Sequence, residues 1–442
     1  MSRRANPAAH AGHGVPNLSS DTSTCVDRQM IELTGPSLPR WPFTLAFAGL
    51  PVWWLLGVLD FVWIPMGIAM AFYMARAKHV YSPRWFGIWL LFLVWAALSI
   101  SQLSGLGSVL VFGYRYAIYL ACTVLLLYLF NNRTSLSDRY VTGVLTIWWL
   151  TTVVLGYVAM AFPTGTIRTP MSYLLPRSLM SNPWIAGMVI RSLNQYNPDS
   201  YFDLEPRPSA PYLYTNNWGN VYSLLIPFVV VYLMQVRGTK RFWILLAALV
   251  LSVVPAVATL NRGMFVGLGL AALYVVFRMA LLGNLKVVVG GLVGLALGVG
   301  ALQVSDTGDA LGARLESGST EDRATLYILA IEAAKDSPIL GYGRTLDTSE
   351  TNTRDPVGTQ GQFWVVLISH GVGAVVAFVG WFAAAFLMSL YRRDPVGLVA
   401  NTVLLVSIVE LSYYGVVPYG LPLMMVASAL ALRGRVADGV RR

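Results

Sequence analysis

The sequence predicts an all-α membrane protein with about twelve transmembrane helices and two large external loops. The prediction rests on a low content of charged residues, on the number of long apolar segments, and on a one-sided distribution of lysine and arginine. The chain has 442 residues, of which 56% are hydrophobic and only 12% are charged. Soluble globular domains contain roughly 25% charged residues, so the composition excludes a soluble enzyme, a disordered chain and a fibrous protein.

The apolar segments predict where the spans lie, because a membrane-spanning helix needs about 20 mostly apolar residues. The first two segments are short and separated by little more than Leu59-Asp60, so they can form one tight helical hairpin. The twelve segments comprise residues 42–58, 60–75, 85–101, 108–130, 140–162, 219–236, 241–259, 263–281, 285–303, 367–390, 396–412 and 416–432.

The basic residues indicate how the spans are oriented. If the N-terminus is cytoplasmic, every predicted inner loop carries Lys or Arg, whereas the short outer loops carry almost none apart from Arg262. This distribution follows the positive-inside rule. It predicts an even number of spans in the cytoplasmic (inner) membrane, with both termini in the cytoplasm. The net charge of +10 is therefore a topology signal, and it does not indicate nucleic-acid binding.

The domain organisation follows from the same pattern. Residues 1–40 are polar and contain no apolar run, which predicts a disordered cytoplasmic tail rather than a signal peptide. A regulatory docking segment is the alternative for this tail. Residues 41–434 form one transmembrane domain, and 435–442 form a second cytoplasmic tail. The two cysteines, Cys25 and Cys122, have no disulfide-type or metal-type spacing.

Two predicted outer segments, 163–218 and 304–366, are too long to be simple connectors. The first is rich in Trp and Tyr, which suit either sugar stacking or an interfacial aromatic belt. The second contains a stretch with helical periodicity from Glu321 to Lys335. Ser319 and Asp322 resemble a capping box at its start, and Asp336-Ser337-Pro338 ends it. Its apolar residues can place one face of this helix on the membrane domain.

Arginine is the chemically notable residue of the outer side. Arg262 occupies the tight turn between the seventh and eighth predicted spans, where it either snorkels at a helix end or binds an anion. Arg115 lies inside the fourth predicted span and Glu410 near the outer end of the eleventh. Because buried charge is costly in a membrane, Arg115 either lines a cavity or pairs with Glu410. The remaining outer arginines are Arg168, Arg177, Arg191, Arg207, Arg314, Arg323, Arg344 and Arg354.

Several short motifs follow one another in the second half of the chain. Leu260-Asn261-Arg262-Gly263 resembles the S-R-G signature that opens the core of the O-antigen ligase and polymerase superfamily. Ala313-Arg314-Leu315 and Asp322-Arg323-Ala324 resemble the family's Arg-Leu pair and its second arginine at the start of an outer helix. The segment 337–343 resembles a P-x-x-G-x-G exit, and 358–373 resembles the His-Asn segment that runs into a G-x-x-G helix start.

The resemblance covers about residues 255–392 and implies a fold of the GT-C type. It further implies a glycosyltransferase that transfers a glycan from a polyprenyl pyrophosphate to an acceptor on the outer face, without a metal or a cofactor. The donor, a glycan or lipid acceptor and the bilayer are then the partners. The implied catalytic residues are Arg262, Arg323 and Gln360, and the candidates for substrate binding are Arg314, Arg115, Arg344, His370 and Trp218.

One position departs from the family pattern, since Gln360 stands where the ligases usually have histidine. An imidazole can accept a proton near neutral pH, whereas an amide only forms hydrogen bonds. The histidine-dependent step of the family therefore does not transfer to Gln360, and His370 is a candidate substitute. A multi-pass transporter and a catalytically inactive family member are the alternatives, and the sequence does not separate ligase from polymerase.

Overall fold

The structure is a computed structural model that describes residues 38–196, 206–286, 288–291, 319–351 and 356–439. Side chains are not described for residues 183, 184, 319–323, 349 and 435–439. Nearly all of the predicted N-terminal tail and most of the predicted span 285–303 lie outside these ranges. Arg314 and Arg354 lie outside them as well.

The N-terminal half of the described chain builds a helical bundle from apolar segments. The first predicted span is broken into two helices near Gly49. Pro51 has no amide hydrogen to donate to the preceding turn, and its ring clashes with a carbonyl of that turn in a continuous helix. The helices are α1 Trp41–Ala48, α2 Leu50–Leu56, α3 Trp63–Ala75, α4 Phe86–Leu98, a 3-10 turn Ser99–Gln102, α5 Leu106–Asn131 and α6 Asp138–Ala161.

The first large loop contains three short helices and two pairs of short antiparallel strands. Its helices are α7 Pro170–Leu174, α8 Arg177–Met180 and α9 Pro183–Val189. The strands are β1 Thr166–Arg168, β2 Ile190–Ser192, β3 Asn194–Gln195 and β4 Arg207–Pro208. Strand β1 pairs with β2, with Ile167 opposite Arg191, and β3 pairs with β4, with Gln195 opposite Arg207. The pairings fold the loop back over the end of the bundle.

The second half of the chain completes the bundle. The outer stretch predicted for 321–335 lies within the helix α14. The helices are α10 Thr215–Gln235, α11 Lys240–Leu251, α12 Val253–Ala258, α13 Arg262–Leu281, α14 Ser319–Asp336, α15 Thr348–Thr351, α16 Gln362–Ser389, α17 Pro395–Glu410 and α18 Gly420–Gly439. Six helices of the described chain are long and apolar enough to cross a membrane, and shorter apolar helices accompany them. The count of twelve spans stays a prediction.

The connection between α17 and α18 is longer than the sequence predicts. The apolar pattern places only residues 413–415 between the last two spans, whereas the structure ends α17 at Glu410 and begins α18 at Gly420. Pro418 cannot donate a backbone hydrogen bond, and Gly415 favours a non-helical conformation. Both residues are hydrophobic or small, so hydropathy does not distinguish this connector from a span.

The predicted inner loops meet at one end of the bundle. The Tyr128 hydroxyl donates to the carbonyl of Pro39, and the amide of Asn132 donates to Leu38 at 2.9 Å. At the same end Arg433 pairs with Asp138. The segments before α1, between α5 and α6, and at the end of α18 therefore share one face, as an even number of crossings between them requires. The large loops lie at the opposite face.

Candidate active site

A cavity of about 680 Å³ lies under the large loops, where the ends of several spans meet. Its wall is rich in amides and phenols, which are hydrogen-bonding groups without charge, and it also contains two arginines and one carboxylate. The polar lining residues are Asp60, Tyr114, Arg115, Tyr119, Gln195, Arg207, Tyr214, Asn216, Asn217, Thr359, Gln360, Gln362 and Tyr419. Such a wall can bind a polyhydroxylated ligand that carries negative charge at one end.

Arg115 is one of the two arginines in the wall of this cavity. It lies in α5 and lines the cavity wall beside Tyr114 and Tyr119. Within the part of the chain that the structure describes, its guanidinium forms no hydrogen bond and no ion pair. The alternative pairing with Glu410 is not found. Glu410 is fully buried and instead accepts hydrogen bonds from the Asn220 amide at 2.7 Å and the Ser223 hydroxyl at 2.6 Å.

Gln360 lines the same cavity as Arg115, just before the start of α16. Its amide nitrogen lies 3.4 Å from the Thr359 hydroxyl, which leaves its carbonyl oxygen available to other donors. Gln362, in the first turn of α16, is held more firmly. Its amide donates to the Tyr119 hydroxyl at 3.1 Å, and its carbonyl oxygen accepts from the Val416 amide at 3.3 Å. Of the two side-chain amides, that of Gln360, the sequence-predicted residue, thus has fewer hydrogen bonds within the protein.

Arg262 is the first residue of α13, and its neighbours explain the motif around it. Asn261 is buried, and its side-chain amide donates to the Thr215 carbonyl at 3.1 Å. Gly263 is required because a Cβ there would lie 2.7 Å from the ring of Tyr413. Arg262 itself is half-buried and has a partner in the structure. The hydrogen bond from Asn261 thus joins the turn that carries Arg262 to Thr215, the residue that precedes Asn216 and Asn217 of the cavity wall.

The Pro-x-x-Gly-x-Gly segment wraps around a kink in α16. Gly371 has φ 81°, and the amide of Val372 donates to the Pro338 carbonyl at 2.9 Å. Farther along, the amides of Tyr342 and Gly343 donate to the carbonyls of Ile368 and Ser369, both at 2.8 Å. These bonds use carbonyls that the kink removes from the helix ladder. The motif therefore fixes the direction of the first turns of α16, which carry the cavity wall.

His370 belongs to this kink. The residue is buried, and its Nδ1 lies 2.6 Å from the Ser99 hydroxyl. The same hydroxyl lies 2.7 Å from the Ala96 carbonyl, to which it donates, so His370 carries its hydrogen on Nδ1 and Ser99 accepts it. His370 lies beside Arg115 but is not part of the large cavity's wall. In the structure His370 is thus bonded to Ser99, and its contact with substrate stays a prediction.

Arg344 and Trp218 also lie apart from the large cavity's wall. The Arg344 guanidinium binds both carboxylate oxygens of Glu350 at 2.5 and 2.8 Å, within a turn of the second loop. The hydrogen bond from Arg344 lowers the pKa of Glu350 to about 2. Trp218 is fully buried and stacks on Tyr222 with 4.8 Å between ring centroids. It packs between helices and offers no open ring face to a sugar.

Arg323 lies in the first turns of α14, and its side chain is outside the described part. Leu326, three positions later, lines the cavity, and Tyr327 stacks on Trp364 at 4.7 Å. Helix α14 therefore lies against the start of α16 and contributes Leu326 to the cavity wall. Arg314 lies outside the described residues. The structure thus brings Arg115 and Gln360 to one cavity. Arg262 is not part of that wall, and its turn is joined to the start of α10 through Asn261.

Sequence reasoning missed the polar residues that come from distant parts of the chain. Asp60 and Tyr419 line the cavity, and Asp60 forms a buried ion pair with Arg191. A lone carboxylate between two apolar segments was a usable signal for Asp60, because such a charge needs a partner. The contributions of Asn216, Asn217 and Gln195 had no such signal, since amides are common in loops.

Comparison with known proteins agrees with the sequence motifs. Residues 247–364 match the family model described as O-antigen ligase. The matched segment contains the Asn261–Gly263 turn, the outer helix α14 and Gln360, so the family resemblance is confirmed. Comparison with curated proteins found no match for the chain.

Proposed function

We propose that this chain, which belongs to the O-antigen ligase family, is a membrane glycosyltransferase that transfers or polymerises a polyprenyl-pyrophosphate-linked glycan on the external face of the membrane. One observation carries the proposal. Arg115 presents a guanidinium to a cavity of about 680 Å³ without a counter-ion among the described residues. A buried cation of this kind is costly unless a ligand supplies the negative charge.

The diphosphate of the donor provides that charge. Negative charge grows on it as the glycosidic bond breaks, and fixed guanidinium groups stabilise this charge by bidentate contacts. Arg115 and Arg207 lie in the cavity wall. The first turns of α10 and α16 also reach this wall through Asn216, Asn217 and Gln362, and helix N-termini favour anions. Arg262 and Arg323 add the cations that the family motif supplies.

The rest of the wall suits the glycan. Amide side chains both donate and accept hydrogen bonds, which matches vicinal sugar hydroxyls. Phenol rings add apolar faces together with a polar end. In transfer, the acceptor hydroxyl forms a bond to the anomeric carbon, and the bond from that carbon to the diphosphate oxygen breaks. Gln360 can orient a hydroxyl by hydrogen bonding but cannot take its proton, which passes to water.

Lipid analysis after gene deletion tests this function. We expect polyprenyl-linked glycan to accumulate in the deletion strain and to disappear when the wild-type gene returns. Arg262→Ala and Arg323→Ala should each restore little or no transfer at normal expression. Lys at either position should rescue poorly, because an ammonium does not reproduce a two-pronged phosphate contact. Arg344→Ala is the control, because Arg344 is paired with Glu350.

Two results would contradict the proposal. If Arg344→Ala fails like the other variants, general surface charge explains the effect better than a site does. If the lipid pool is unchanged and uptake of a small solute is lost, the chain is a transporter.

A further inference from the structure

The connector 411–419, between α17 and α18, contacts several parts of the candidate site, although no sequence motif marks it. It lies outside the segment 247–364 that matches the family model. Gly415, Val417, Pro418 and Tyr419 line the cavity. The connector follows Glu410, the last residue of α17, whose buried carboxylate accepts hydrogen bonds from Asn220 and Ser223 of α10. The residue before the connector is therefore fixed to the centre of the bundle.

The first set of contacts holds the turn that carries Arg262. The hydroxyl of Tyr414 donates to the side-chain oxygen of Asn261. The Tyr413 hydroxyl lies 3.3 Å from the Gly263 carbonyl, to which it donates. Leu260, just before this turn, has φ 48°, a backbone conformation that is unfavourable for a leucine. Contacts from outside the turn are thus needed to hold it in this shape.

The second set of contacts holds the start of α16. The backbone N–H of Gln362 donates to the Tyr414 carbonyl at 2.8 Å, and the backbone N–H of Phe363 donates to the Leu411 carbonyl at 2.9 Å. A helix start leaves such amides unsatisfied, so the connector serves as their cap. Gly361 allows this approach, because a Cβ there would lie 2.5 Å from the Ser412 carbonyl. Tyr414 therefore binds the Arg262 turn through its side chain and α16 through its backbone.

We propose that Tyr414 is a positioning residue that sets the Asn261-Arg262-Gly263 turn and the Gln360 end of α16 at a fixed separation. The residue is buried, and the cavity wall is formed by its neighbours in the connector. Its hydroxyl acts on Arg262 through Asn261, without touching the ligand itself. This inference rests on the proposed function, because Arg262 matters to transfer only if the chain is a glycosyltransferase.

The test compares transfer by Tyr414→Phe and Tyr128→Phe. Membranes of the deletion strain carry each full-length variant, and the donor is the polyprenyl-linked glycan that this strain accumulates. Tyr128 is the matched control, because it is also a buried phenol that donates to an oxygen, here the Pro39 carbonyl at the far end of the bundle. Both variants lose one buried hydrogen bond, so their melting midpoints in detergent should fall by similar amounts.

We expect Tyr414→Phe to lower the transfer rate roughly ten- to hundredfold, since a buried acceptor on Asn261 loses its donor. Tyr128→Phe should retain nearly the wild-type rate. In an Arg262→Lys background, Tyr414→Phe should cause a much smaller further loss, because the two positions act through the same group.

Other outcomes separate this inference from the proposed function. If Tyr414→Phe and Tyr128→Phe have equal rates, or if the losses at positions 414 and 262 are additive, the positioning role is overturned while the glycosyltransferase function stands. If wild-type membranes transfer no glycan from the lipid-linked donor, the proposed function fails and the positioning role fails with it.

Discussion

Arg191 and Asp60 form a buried ion pair at the edge of the cavity, with 2.6 Å between Arg191 Nη2 and Asp60 Oδ2, although 131 positions separate them in the chain. The other carboxylate oxygen of Asp60 accepts a hydrogen bond from the Tyr419 hydroxyl. The Tyr114 hydroxyl donates to the backbone carbonyl of Asp60 at 2.9 Å. One carboxylate thus joins the first helical hairpin to strand β2, and it also joins the hairpin to the end of the connector 411–419.

The ion pair predicts a large loss of stability when one partner is removed. Asp60→Ala should destabilise the fold by about 3–5 kcal/mol, because it leaves the Arg191 guanidinium buried without a counter-charge. The measurement is the thermal unfolding midpoint of the detergent-solubilised protein. Arg344→Ala is the control. Its pair with Glu350 is 26% and 41% exposed, so removing it should cost only about 0–1 kcal/mol. Equal midpoints for the two variants would show that the buried pair contributes nothing beyond a surface pair.

Removing Arg115 should lower activity without lowering stability, in contrast to the loss of stability expected for Asp60→Ala. Arg115→Met keeps an unbranched apolar side chain and removes a cation that has no counter-ion among the described residues. The melting midpoint should therefore stay the same or rise. Transfer should fall by about a hundredfold or more, as expected when a preorganised group that stabilises developing charge is lost.

Arg191→Met supplies the comparison for Arg115→Met, since the same change leaves the Asp60 carboxylate without its partner and should lower the midpoint. If Arg115→Met also destabilises the protein strongly, Arg115 has a structural partner and the anion site moves elsewhere.

Arg115 and Arg191 differ in how far the sequence predicts their surroundings. Hydropathy predicts most helices, because a membrane leaves the backbone few other ways to satisfy its polar groups. It also predicts Arg115, since a charge inside a span is unfavourable by itself and needs a reason. The pairing of Arg191 with Asp60 is a tertiary relationship between two loops, and no local pattern encodes it.

The same reasoning applies to the residues whose surroundings differ from the prediction. Trp218 and Tyr214 belong to the same aromatic loop in the sequence, yet Trp218 is buried in the bundle and Tyr214 lines the cavity. Their surroundings differ because α10 begins at Thr215 and carries Trp218 into the bundle, whereas Tyr214 precedes the helix. The connector 411–419 was not predicted because it contains no charged residue that would separate it from a span. Its role comes from tyrosine hydroxyls and backbone groups, whose partners composition does not reveal.

Cysteines introduced near the two ends of α5 should differ in their reaction with an impermeant thiol reagent in intact cells. In a background with Cys25→Ser and Cys122→Ala, Ser104→Cys should react with an impermeant thiol reagent, and Thr134→Cys should not. Both positions are exposed, and the 26-residue helix between them is long enough to cross a bilayer. Permeabilised cells are the control, in which both cysteines should react. Labelling of position 134 alone would invert the topology and move both large loops to the cytoplasm.

Gln360 predicts the smallest effect at the site. Gln360→Ala should lower transfer roughly ten- to hundredfold, the usual consequence of losing one neutral hydrogen bond to a ligand. The loss should be smaller than for Arg262→Ala, because charge-assisted contacts are stronger. Gln360 has one long contact, at 3.4 Å to Thr359, so its removal leaves the surrounding fold intact and the unfolding midpoint should not change.

Gln360→His should be tolerated and should add a dependence on pH, because the family usually has histidine at this position. An imidazole that accepts the acceptor's proton must be neutral, so the rate should rise as pH increases from about 5 to 8 through the ordinary histidine pKa. Wild-type membranes measured over the same range should show no such rise. A wild-type rate for Gln360→Ala would make the position a spacer. The acceptor hydroxyl would then need no protein group at this point, because the diphosphate already activates the glycosyl carbon. His370 does not take the place of Gln360, because it lies outside the wall of the large cavity.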